Sequence, residues 1–301
     1  MPPKKLFLLD AFALIFRAYY ALIKSPRVTS TGINTNAQFG FTNTLLDLLN
    51  KEKPTHIAVC FDTKAATVRH DNFADYKANR QEAPEDLLKS IPDIKEIIEA
   101  FNIPIIELDG YEADDVIGTL AWKAADKNFE VYMVTPDKDY GQLLIKPTIF
   151  IYKPPAYGNP AEIVDAQKIC DKWDIQHVTQ VIDMLGLMGD AVDNIPGIPG
   201  IGEKTAIKLL KEYHSIENIL ANADKITGSL GEKIRNGKEL AIMSKSLATI
   251  ITNTPIDFNE EQCLYEPFNQ PKLESIFNKL EFKTLAKRVF NKPANNTEKT
   301  D

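Results

Sequence analysis

The sequence predicts an α/β fold with a mostly parallel sheet, followed by a region that is mainly α-helical. Short apolar segments that end in an acidic residue occur three times in the first half of the chain, and amphipathic helical patterns separate them. Such alternation of strands and helices is typical of a parallel sheet with helices on both faces. After about residue 165 the strand signals fade and helical patterns dominate, which indicates the second region.

Each predicted strand contains a carboxylate at its C-terminal end. The strands are Lys5–Asp10, His56–Asp62 and Glu130–Asp139. The carboxyl ends of parallel strands lie along one edge of the sheet, which is where ligands bind in open α/β folds. We therefore expect convergence of the terminal acids, which are Asp10, Asp62, Asp137 and Asp139.

The predicted helices fall into two groups. Between the strands they are Gln38–Lys51, Leu87–Phe101 and Asp114–Ala125. In the second region they are Ala166–Trp173, Gln176–Leu187, Glu203–Tyr213, Ser215–Ala221 and Lys238–Ile250. The C-terminal end is polar and has no pattern. We therefore divide the chain into a core at residues 1–170, a helical region at 171–290 and a tail or linker at 291–301.

The composition is that of a globular protein and excludes several classes. The 301 residues, 44% of them hydrophobic, suffice for one large or two smaller domains. The longest uninterrupted apolar run, Ala11–Phe16, is far below the roughly 18 residues that span a bilayer. The cysteines are too far apart for a disulfide framework or a thiolate metal motif, and they are Cys60, Cys170 and Cys263. We therefore expect no membrane partner and a reducing, cytoplasmic compartment.

The charge balance by itself does not identify a partner. The chain has 35 Lys and Arg against 42 Asp and Glu, a net charge of −7, which argues weakly against nucleic acid. However, an enzyme that cuts nucleic acid with metal ions gathers carboxylates around those ions, so the placement of each charge matters more than the sum. The four histidines contain no i,i+4 pair, which excludes a zinc site of the H-E-x-x-H kind. Any metal site must therefore consist of oxygen ligands.

An acidic triplet, Glu112, Asp114 and Asp115, stands just before an apolar helical pattern. Alone, such a triplet is more often a helix N-terminus whose acids cap free N–H groups. Together with the strand-end acids it makes seven carboxylates at one edge, and these repel one another unless cations lie among them. Mg²⁺ or Mn²⁺ fits better than Ca²⁺, because Mg²⁺ takes few protein carboxylates and suits phosphate substrates.

A glycine-rich segment occupies residues 189–206 and has the sequence GDAVDNIPGIPGIGEKTA. Gly200 and Gly202 precede a helical pattern, so backbone N–H groups at a helix N-terminus would be open to a phosphate. An ordinary loop between helices uses the same residues. The prolines and two flanking aspartates, Asp190 and Asp193, make the segment more specific. We expect the loop to hold a duplex backbone while the aspartates reach the metals.

A third segment, residues 64–80, alternates positive charge with aromatic rings. Its members are Lys64, Arg69, Phe73, Tyr76, Lys77 and Arg80. A solvated helix face is the ordinary interpretation of such a run. Because the segment follows Asp62, the alternative is that it presents cations and rings to a phosphodiester and an unstacked base. Arg17 and Tyr20 are candidates for the same role, although Tyr19 and Tyr20 fit an apolar core equally well.

These motifs resemble a known family. The 5′ nuclease domain of bacterial DNA polymerase I, a member of the flap endonuclease superfamily, is similar in LFLLDAFALIFRAYYA, FD with the later YKANR, GYEADD, TPDKD and GDAVDNIPGIPGIGEKTA. The similarity runs in order from about residue 4 to about residue 290 and includes LEFKTLAKRVF. It implies a PIN-like (resolvase-like) core with a helical arch and a helix-three-turn-helix module that binds duplex. It also implies two-metal hydrolysis of 5′ ends and 5′ flaps of DNA, including RNA primers in hybrids with DNA.

The resemblance also implies roles for the residues that match the family's motifs. The implied metal ligands are Asp10, Asp62, Glu112, Asp114, Asp115, Asp137, Asp139, Asp190 and Asp193. Tyr76 would stack on a base, and Lys77 and Arg80 would steer the phosphate. The expected DNA contacts are Arg17, Tyr20, Lys64, Arg69, Gly197, Gly200, Gly202, Lys204 and Thr205. A K⁺ ion is expected in the loop at residues 197–202.

The expected function is a metal-dependent, structure-specific 5′ nuclease that leaves 5′ phosphates, in replication and repair at the bacterial nucleoid. One alternative is a DNA-binding protein without turnover, which the presence of every matched acid disfavours. Another is a PIN-type ribonuclease, which residues 189–206 disfavour because such enzymes are usually shorter and lack that module. Whether the chain stands alone or continues into a polymerase region stays open.

Overall fold

The structure of the protein is a computed structural model that describes residues 3–156 and 158–290, apart from the side chain of Asn72. The predicted tail at residues 291–301 lies outside this part of the chain. Within it, no helix has the length and apolar character needed to cross a membrane. The chain forms two compact units, each built from three segments. Unit 1 consists of Met1–Ala13, Pro54–Glu82 and Ile106–Leu264, and unit 2 consists of Leu14–Lys53, Ala83–Ile105 and Tyr265–Asp301.

A mostly parallel sheet organises unit 1, as predicted, and it has six strands. The strands are β1 Lys4–Asp10, β2 His56–Cys60, β3 Ile105–Ile106, β4 Phe129–Val134, β5 Ile149–Lys153 and β6 Glu162–Val164. Their spatial order is β3-β2-β1-β4-β5-β6, and β6 is antiparallel to β5. β1 lies between β2 and β4 and is parallel to both. Its residues Leu6 to Leu9 are buried, because a central strand of a parallel sheet is covered on both faces.

Helices follow the strands and fill the second half of unit 1 and most of unit 2. They are α1 Ala11–Ala21, α2 Asn36–Glu52, α3 Val68–Asn72, α4 Glu85–Ala100, α5 Ala113–Ala125, α6 Ala166–Trp173, α7 Gln180–Met188, α8 Glu203–Tyr213, α9 Ile216–Ala221, α10 Gly228–Asn236, α11 Lys238–Ala248, α12 Glu260–Cys263, α13 Gln270–Lys279 and α14 Lys283–Phe290. Short 3₁₀ turns occupy Asp139–Leu143 and Ala223–Lys225.

The predicted helices match the observed ones to within two residues at each end, except α7. Its predicted start, Gln176, is four residues early. The side-chain oxygen of Gln180 accepts the N–H groups of Gln176 and His177, so these residues form a separate turn before the helix. The sequence pattern also missed five helices, namely α1, α10, α12, α13 and α14. Of these, α10 contains two glycines but is held by the complete burial of Ile234.

One continuous apolar core joins the sheet of unit 1 to its helical region. It extends from Leu8 and Met133 in the sheet to Val181 in α7 and Leu210 in α8. α5 packs on β4 and β1, while α7 packs on both α8 and α11. The predicted boundary at residues 170 and 171 therefore falls inside a shared core. The division of the chain into a nuclease core and a duplex-binding region at this boundary stays a prediction.

Unit 2 is a helical assembly in which α4 packs on both α2 and α13. Tyr19 on α1 is buried, and its hydroxyl donates to the Asp86 carboxylate at 2.9 Å. Burial and the neighbouring Asp86 raise the pKa of Tyr19 to about 12. Tyr20, in contrast, is 51% exposed. Of the two tyrosines that fit either a core or a binding role in sequence, only Tyr19 belongs to the core.

Candidate metal and nucleic-acid site

The carboxylate of Asp10 lies at the centre of the sheet edge in unit 1. Asp10 is the last residue of β1 and pairs with Cys60, the last residue of β2. It accepts hydrogen bonds from the Ala13 N–H, the Thr135 hydroxyl and the Tyr140 hydroxyl, each at 3.1 Å. Burial, with repulsion from nearby acids, nevertheless raises its pKa to about 6. Three hydrogen bonds therefore hold this carboxylate in place. Its charged form is unfavourable unless a cation lies nearby.

The other strand-end acids follow β2 and β4, as predicted, but Asp62 and Asp137 lie in loops and Asp139 begins a 3₁₀ turn. β2 ends at Cys60 and β4 at Val134, so both strands are shorter than the sequence pattern suggested. Asp62 accepts the Ala113 N–H at 2.8 Å, and Asp137 accepts the Asp139 N–H at 2.9 Å. Burial raises the pKa of all three acids, and that of Asp139 reaches about 7 because Asp137 lies close to it.

The acidic triplet forms the first turn of α5, and its three members differ. Glu112 is the N-cap, and it forms a reciprocal capping box with Asp115. Asp114 is half-buried, but its Oδ1 atom is buried and has no hydrogen-bond partner among the described residues. Burial and the neighbouring Asp115 and Glu112 raise the pKa of Asp114 well above its ordinary value, although Arg69 opposes this shift. Asp114 is thus the triplet member with an oxygen left for a ligand.

Arg69 is not the DNA contact that we predicted. Its side chain is about 5% exposed and forms ion pairs with Asp115 at 2.7 Å and Glu112 at 3.2 Å. Asp115, predicted as a metal ligand, is occupied as well. Its two oxygens accept from both Arg69 amino groups and from the backbone N–H groups of Ile251 and Glu112. Sequence reasoning failed here because Asp115 and Arg69 neutralise each other inside the protein.

Tyr76 is also placed differently from the prediction. The residue is 4% exposed and its hydroxyl donates to Glu112 at 3.1 Å, so its ring is no open platform for a base. Burial, with the nearby Glu112, raises its pKa strongly. An aromatic ring whose hydroxyl has a hydrogen-bond partner is well suited to a buried position. The sequence pattern does not distinguish such a ring from one that stacks on a base.

Lys77 and Arg80 do lie at the acidic edge, by which we mean the carboxyl ends of β1, β2 and β4 together with the carboxylates around them. The Lys77 ammonium donates to Glu112 at 2.7 Å and is 4.0 Å from Asp193. Burial lowers the pKa of Lys77, but the surrounding carboxylates outweigh this and raise it. Arg80 pairs with Asp193, and the Lys77 N–H donates to the Asp193 carbonyl oxygen at 3.0 Å. These contacts join residues 76–80 to the loop that holds Asp193.

Lys138 belongs to the site, although sequence reasoning passed over it. The lysine lies between Asp137 and Asp139 in the TPDKD motif, and this position was the available signal. Its ammonium donates to the Asp190 carboxylate and lies 3.5 Å from Asp139. Asp190 also accepts the Val192 N–H at 2.8 Å. A protein cation thus occupies the space between two of the predicted metal ligands.

The site fits divalent cations by its chemistry. No three Asp, Glu, His or Cys side chains within the described residues are close enough to hold one ion directly. Mg²⁺ commonly keeps several waters and takes only one or two carboxylates, which agrees with this spacing. Two buried carboxylate oxygens, on Asp114 and Asp139, have no hydrogen-bond partner among the described residues, although the one on Asp139 is 3.5 Å from the Lys138 ammonium. Five acids also have a raised pKa, so added positive charge would stabilise the charged forms of this cluster.

The glycine-rich loop has two tight backbone positions. Gly197 has φ +62°, and a Cβ atom there would lie 2.3 Å from the Gly189 nitrogen. Gly200 has φ +79°, and its carbonyl accepts a hydrogen bond from Lys233 at 3.2 Å. Gly202, the N-cap of α8, has φ −103° and open space around its Cβ position. The close approach of two chain segments therefore depends on Gly197, and Gly202 tolerates a side chain.

The remaining predicted DNA contacts are scattered. In unit 1, Lys64 and Lys204 are exposed, and Thr205 is half-buried in the first turn of α8. In unit 2, Arg17 is half-buried and Tyr20 is exposed, and both lie on α1. Their roles stay predictions, because exposure permits contact with DNA without requiring it.

Two family models match the chain over most of its length. Residues 5–174 match the N-terminal resolvase-like domain of 5′-3′ exonucleases, and residues 176–271 match their C-terminal SAM fold. A 5′-3′ exonuclease of Aquifex aeolicus is 40% identical over 288 residues, which cover 95% of each chain. DNA polymerase I of Bacillus subtilis is 43% identical over 289 residues. That match covers 95% of this chain but 32% of the polymerase, so the chain spans about a third of such relatives.

Solved structures show the same fold. Bacteriophage T5 5′-exonuclease with bound zinc superposes with a TM-score of 0.71 at 18% identity, covering 93% of this chain and 99% of that one. The catalytic core of Rad2 in a complex with DNA superposes with a TM-score of 0.61 at 14% identity, covering 96% and 92%. At these identities the likeness establishes architecture, and it agrees with the predicted resolvase-like core followed by a helical region.

Proposed function

Because the chain belongs to the 5′-3′ exonuclease family, its chemistry is phosphodiester hydrolysis, and we propose that it cuts 5′ ends and 5′ flaps of DNA with two divalent cations. The proposed ions are Mg²⁺ or Mn²⁺, and the proposed products carry 5′ phosphates. RNA primers paired with DNA are included as substrates. The proposal applies equally to a free nuclease and to a segment of a longer polymerase in the bacterial cytoplasm at the nucleoid.

One observation supports the proposal most strongly, namely the convergence of carboxylates at the carboxyl edge of β1, β2 and β4. Asp10 is in electrostatic contact with both Asp62 and Asp137, and Asp62 is in turn close to Glu112. Lys77 borders the same acids. Asp10 and Glu112 are buried, Asp62 is half-buried and Asp137 is exposed. Such a cluster of anions, with cations at its margin, suits a substrate that supplies phosphate oxygens together with metal ions.

The chain's own residues would position the phosphate. Divalent cations bound among the acids would lower the pKa of the attacking water and stabilise the leaving oxygen. Lys77 would exchange its bond with Glu112 for a non-bridging phosphate oxygen, and Arg80 would do the same from Asp193. The fixed hydrogen bonds to Asp10 from Thr135 and Tyr140 hold its carboxylate in one orientation throughout.

The glycine-rich loop at residues 197–202 is the proposed anchor for duplex DNA, with K⁺ bound to its carbonyl oxygens. The Gly200 carbonyl already accepts from the Lys233 ammonium, so a cation suits this position. Lys204 and Thr205 in the first turn of α8 would contact the phosphate at the helix N-terminus.

The test of this function is cleavage of a 5′-labelled flap substrate. We expect a labelled fragment with Mg²⁺, no product with EDTA, and recovery when Mg²⁺ is added in excess. A matched single strand of RNA serves as the control substrate. Cleavage that persists in EDTA, or cleavage of the RNA strand in preference to the flap, would contradict the proposal.

Replacing Lys77 with methionine should lower kcat by roughly 10²–10³-fold, the scale for losing one preorganised electrostatic donor. KM should change little, because the ammonium is proposed to act mainly in the transition state. The Mg²⁺ requirement should not increase, since the variant frees one oxygen of the Glu112 carboxylate, Oε1. Single-turnover cleavage across a Mg²⁺ titration measures all three.

Lys172→Met is the control, because Lys172 is an exposed lysine of unit 1, on α6, that belongs to no predicted site. Its rate should stay within a few-fold of the wild-type rate. A near-normal rate constant in the Lys77 variant would contradict this role. It would show that Lys77 contributes only general electrostatic attraction to the DNA backbone.

A further inference from the structure

Arg69 forms the most complete set of hydrogen bonds near the acidic edge. Nε donates to the Leu247 carbonyl at 3.0 Å, and Nη2 donates to the Thr249 carbonyl at 2.8 Å. The two amino groups also hold Asp115 in a fork at 2.7 and 2.8 Å, and Nη1 reaches Glu112 at 3.2 Å. Five N–H donors thus have five acceptors, which is the full capacity of a guanidinium.

These bonds connect three separate parts of unit 1. Arg69 lies on α3, its carboxylate partners cap the N-terminus of α5, and its carbonyl partners lie at and just after the end of α11. Asp115 adds a bond from the Ile251 N–H at 2.8 Å. Because Glu112 and Asp115 are both held, the backbone of the first turn of α5, which carries Asp114, is held as well.

α11 also contacts the glycine-rich loop. The Ser244 hydroxyl, in the middle of α11, accepts the Gly197 N–H at 2.9 Å. The same helix therefore supports the proposed duplex anchor through Ser244 and the acidic triplet through Leu247 and Arg69. A shift of α11 would change both places together, since its two contacts lie less than one turn apart.

A purely structural role explains these contacts less well. Buried ion pairs often contribute little net stability, and apolar residues of similar volume can replace them. An arginine that only joined helices would not need to contact both Glu112 and Asp115. Contact with DNA is also a poor explanation, because the Arg69 side chain is about 5% exposed.

We propose that Arg69 is a positioning residue that orients the acidic triplet for metal binding and couples it, through α11, to the duplex anchor. This inference rests on the proposed function for its DNA part. Coupling is reciprocal, so a bound duplex should raise the affinity for metal, and bound metal should raise the affinity for duplex.

The first experiment measures metal binding without DNA and without turnover. Free Mn²⁺ is followed by electron paramagnetic resonance in wild type, Arg69→Lys and the control Arg235→Lys, an arginine bonded elsewhere to the Ala223 carbonyl. Lysine keeps the charge beside Glu112 and Asp115 but cannot form the fork. We expect Mn²⁺ affinity to fall about 10–100-fold in Arg69→Lys, as for other supporting residues of metal sites, and to stay unchanged in the control.

A second variant covers the case in which Arg69→Lys does not fold. Arg69→Met combined with Asp115→Leu replaces this buried ion pair with an apolar contact, while Glu112 keeps its ion pair with Lys77. This double variant should melt cooperatively and bind Mn²⁺ weakly. Wild-type Mn²⁺ affinity in either folded variant would overturn the positioning role.

The last measurement tests coupling with a flap substrate whose scissile linkage resists hydrolysis. In wild type the duplex should raise Mn²⁺ affinity about 5–150-fold, the usual range of such coupling, and Arg69→Lys should bring this ratio close to one. An unchanged ratio, or a raised KM with normal Mn²⁺ affinity, would contradict the proposal. A wild-type protein that cuts no DNA would refute the proposed function, whereas the Mn²⁺ titration without DNA would still test Arg69.

Discussion

Asp114→Asn should abolish cleavage while leaving the protein folded. One oxygen of the Asp114 carboxylate is buried and has no hydrogen-bond partner among the described residues. Asparagine keeps the shape but removes the negative charge that would attract a divalent cation, so kcat should fall by at least about 10³-fold, the upper end for one preorganised donor. Single-turnover cleavage at saturating Mg²⁺ measures this loss. DNA affinity, measured by anisotropy, should change by less than about threefold because the duplex anchor is untouched.

The melting temperature separates this effect from misfolding. Burial and repulsion from Asp115 and Glu112 raise the pKa of Asp114, so its charged form is unfavourable in the metal-free protein. The Asp114→Asn variant, whose side chain is neutral, should therefore have a melting temperature no lower than that of the wild type. Asp109→Asn, at an exposed acid shortly before the triplet, is the matched control and should cut at the normal rate. Near-normal cleavage by Asp114→Asn would refute its assignment to the metal.

Gly197→Ala should have the largest effect on stability among glycine replacements in the loop. The residue has φ +62°, and an added Cβ would lie 2.3 Å from the Gly189 nitrogen and 2.6 Å from the Met188 carbonyl carbon. Left-handed backbone and overpacking together cost roughly 3–5 kcal/mol. The melting temperature should fall by about 5–10 °C. Affinity for duplex substrates should fall with it, because the loop must move to admit the methyl group.

Gly202→Ala is the internal control for this prediction. Its φ of −103° is ordinary, and no atom lies within 4 Å of the added Cβ position. The variant should be as stable as the wild type or more stable by up to about 1 kcal/mol, through a less flexible unfolded chain. Equal destabilisation by both replacements would show that general loop stiffness, rather than the contact of Gly197 with Gly189, supports the loop.

The order of strands and helices was predictable because it follows from periodicity within single segments. Continuous apolar runs and amphipathic runs of period 3.6 depend on neighbours in sequence, so the limits of most predicted helices agree with the structure. Strands β3, β5 and β6 were not predicted, and β3 has only two residues. Helix α10 escaped for a different reason, since tertiary burial of Ile234 outweighs its weak propensity.

The site was predictable only where it depends on topology. Asp10, Asp62 and Asp137 converge because parallel strands end at one edge, and that rule applies to the sequence directly. The partners of Arg69 are not local, since the Leu247 carbonyl is 178 positions away in the chain. A sequence pattern cannot distinguish an arginine that binds phosphate from one that is already neutralised by a buried carboxylate.

The central position of β1 has a consequence for folding during synthesis. β1 lies at the start of the chain, yet one of its two neighbours, β4, begins at Phe129, and the core it joins closes only near Leu264. At about 5–20 residues per second, the ribosome needs roughly 10–50 s to supply that core. An apolar strand with open edges is prone to aggregation during this interval. Nascent chains should therefore depend on chaperones until residue 264 has emerged, and fragments that end near residue 175 should accumulate as insoluble protein.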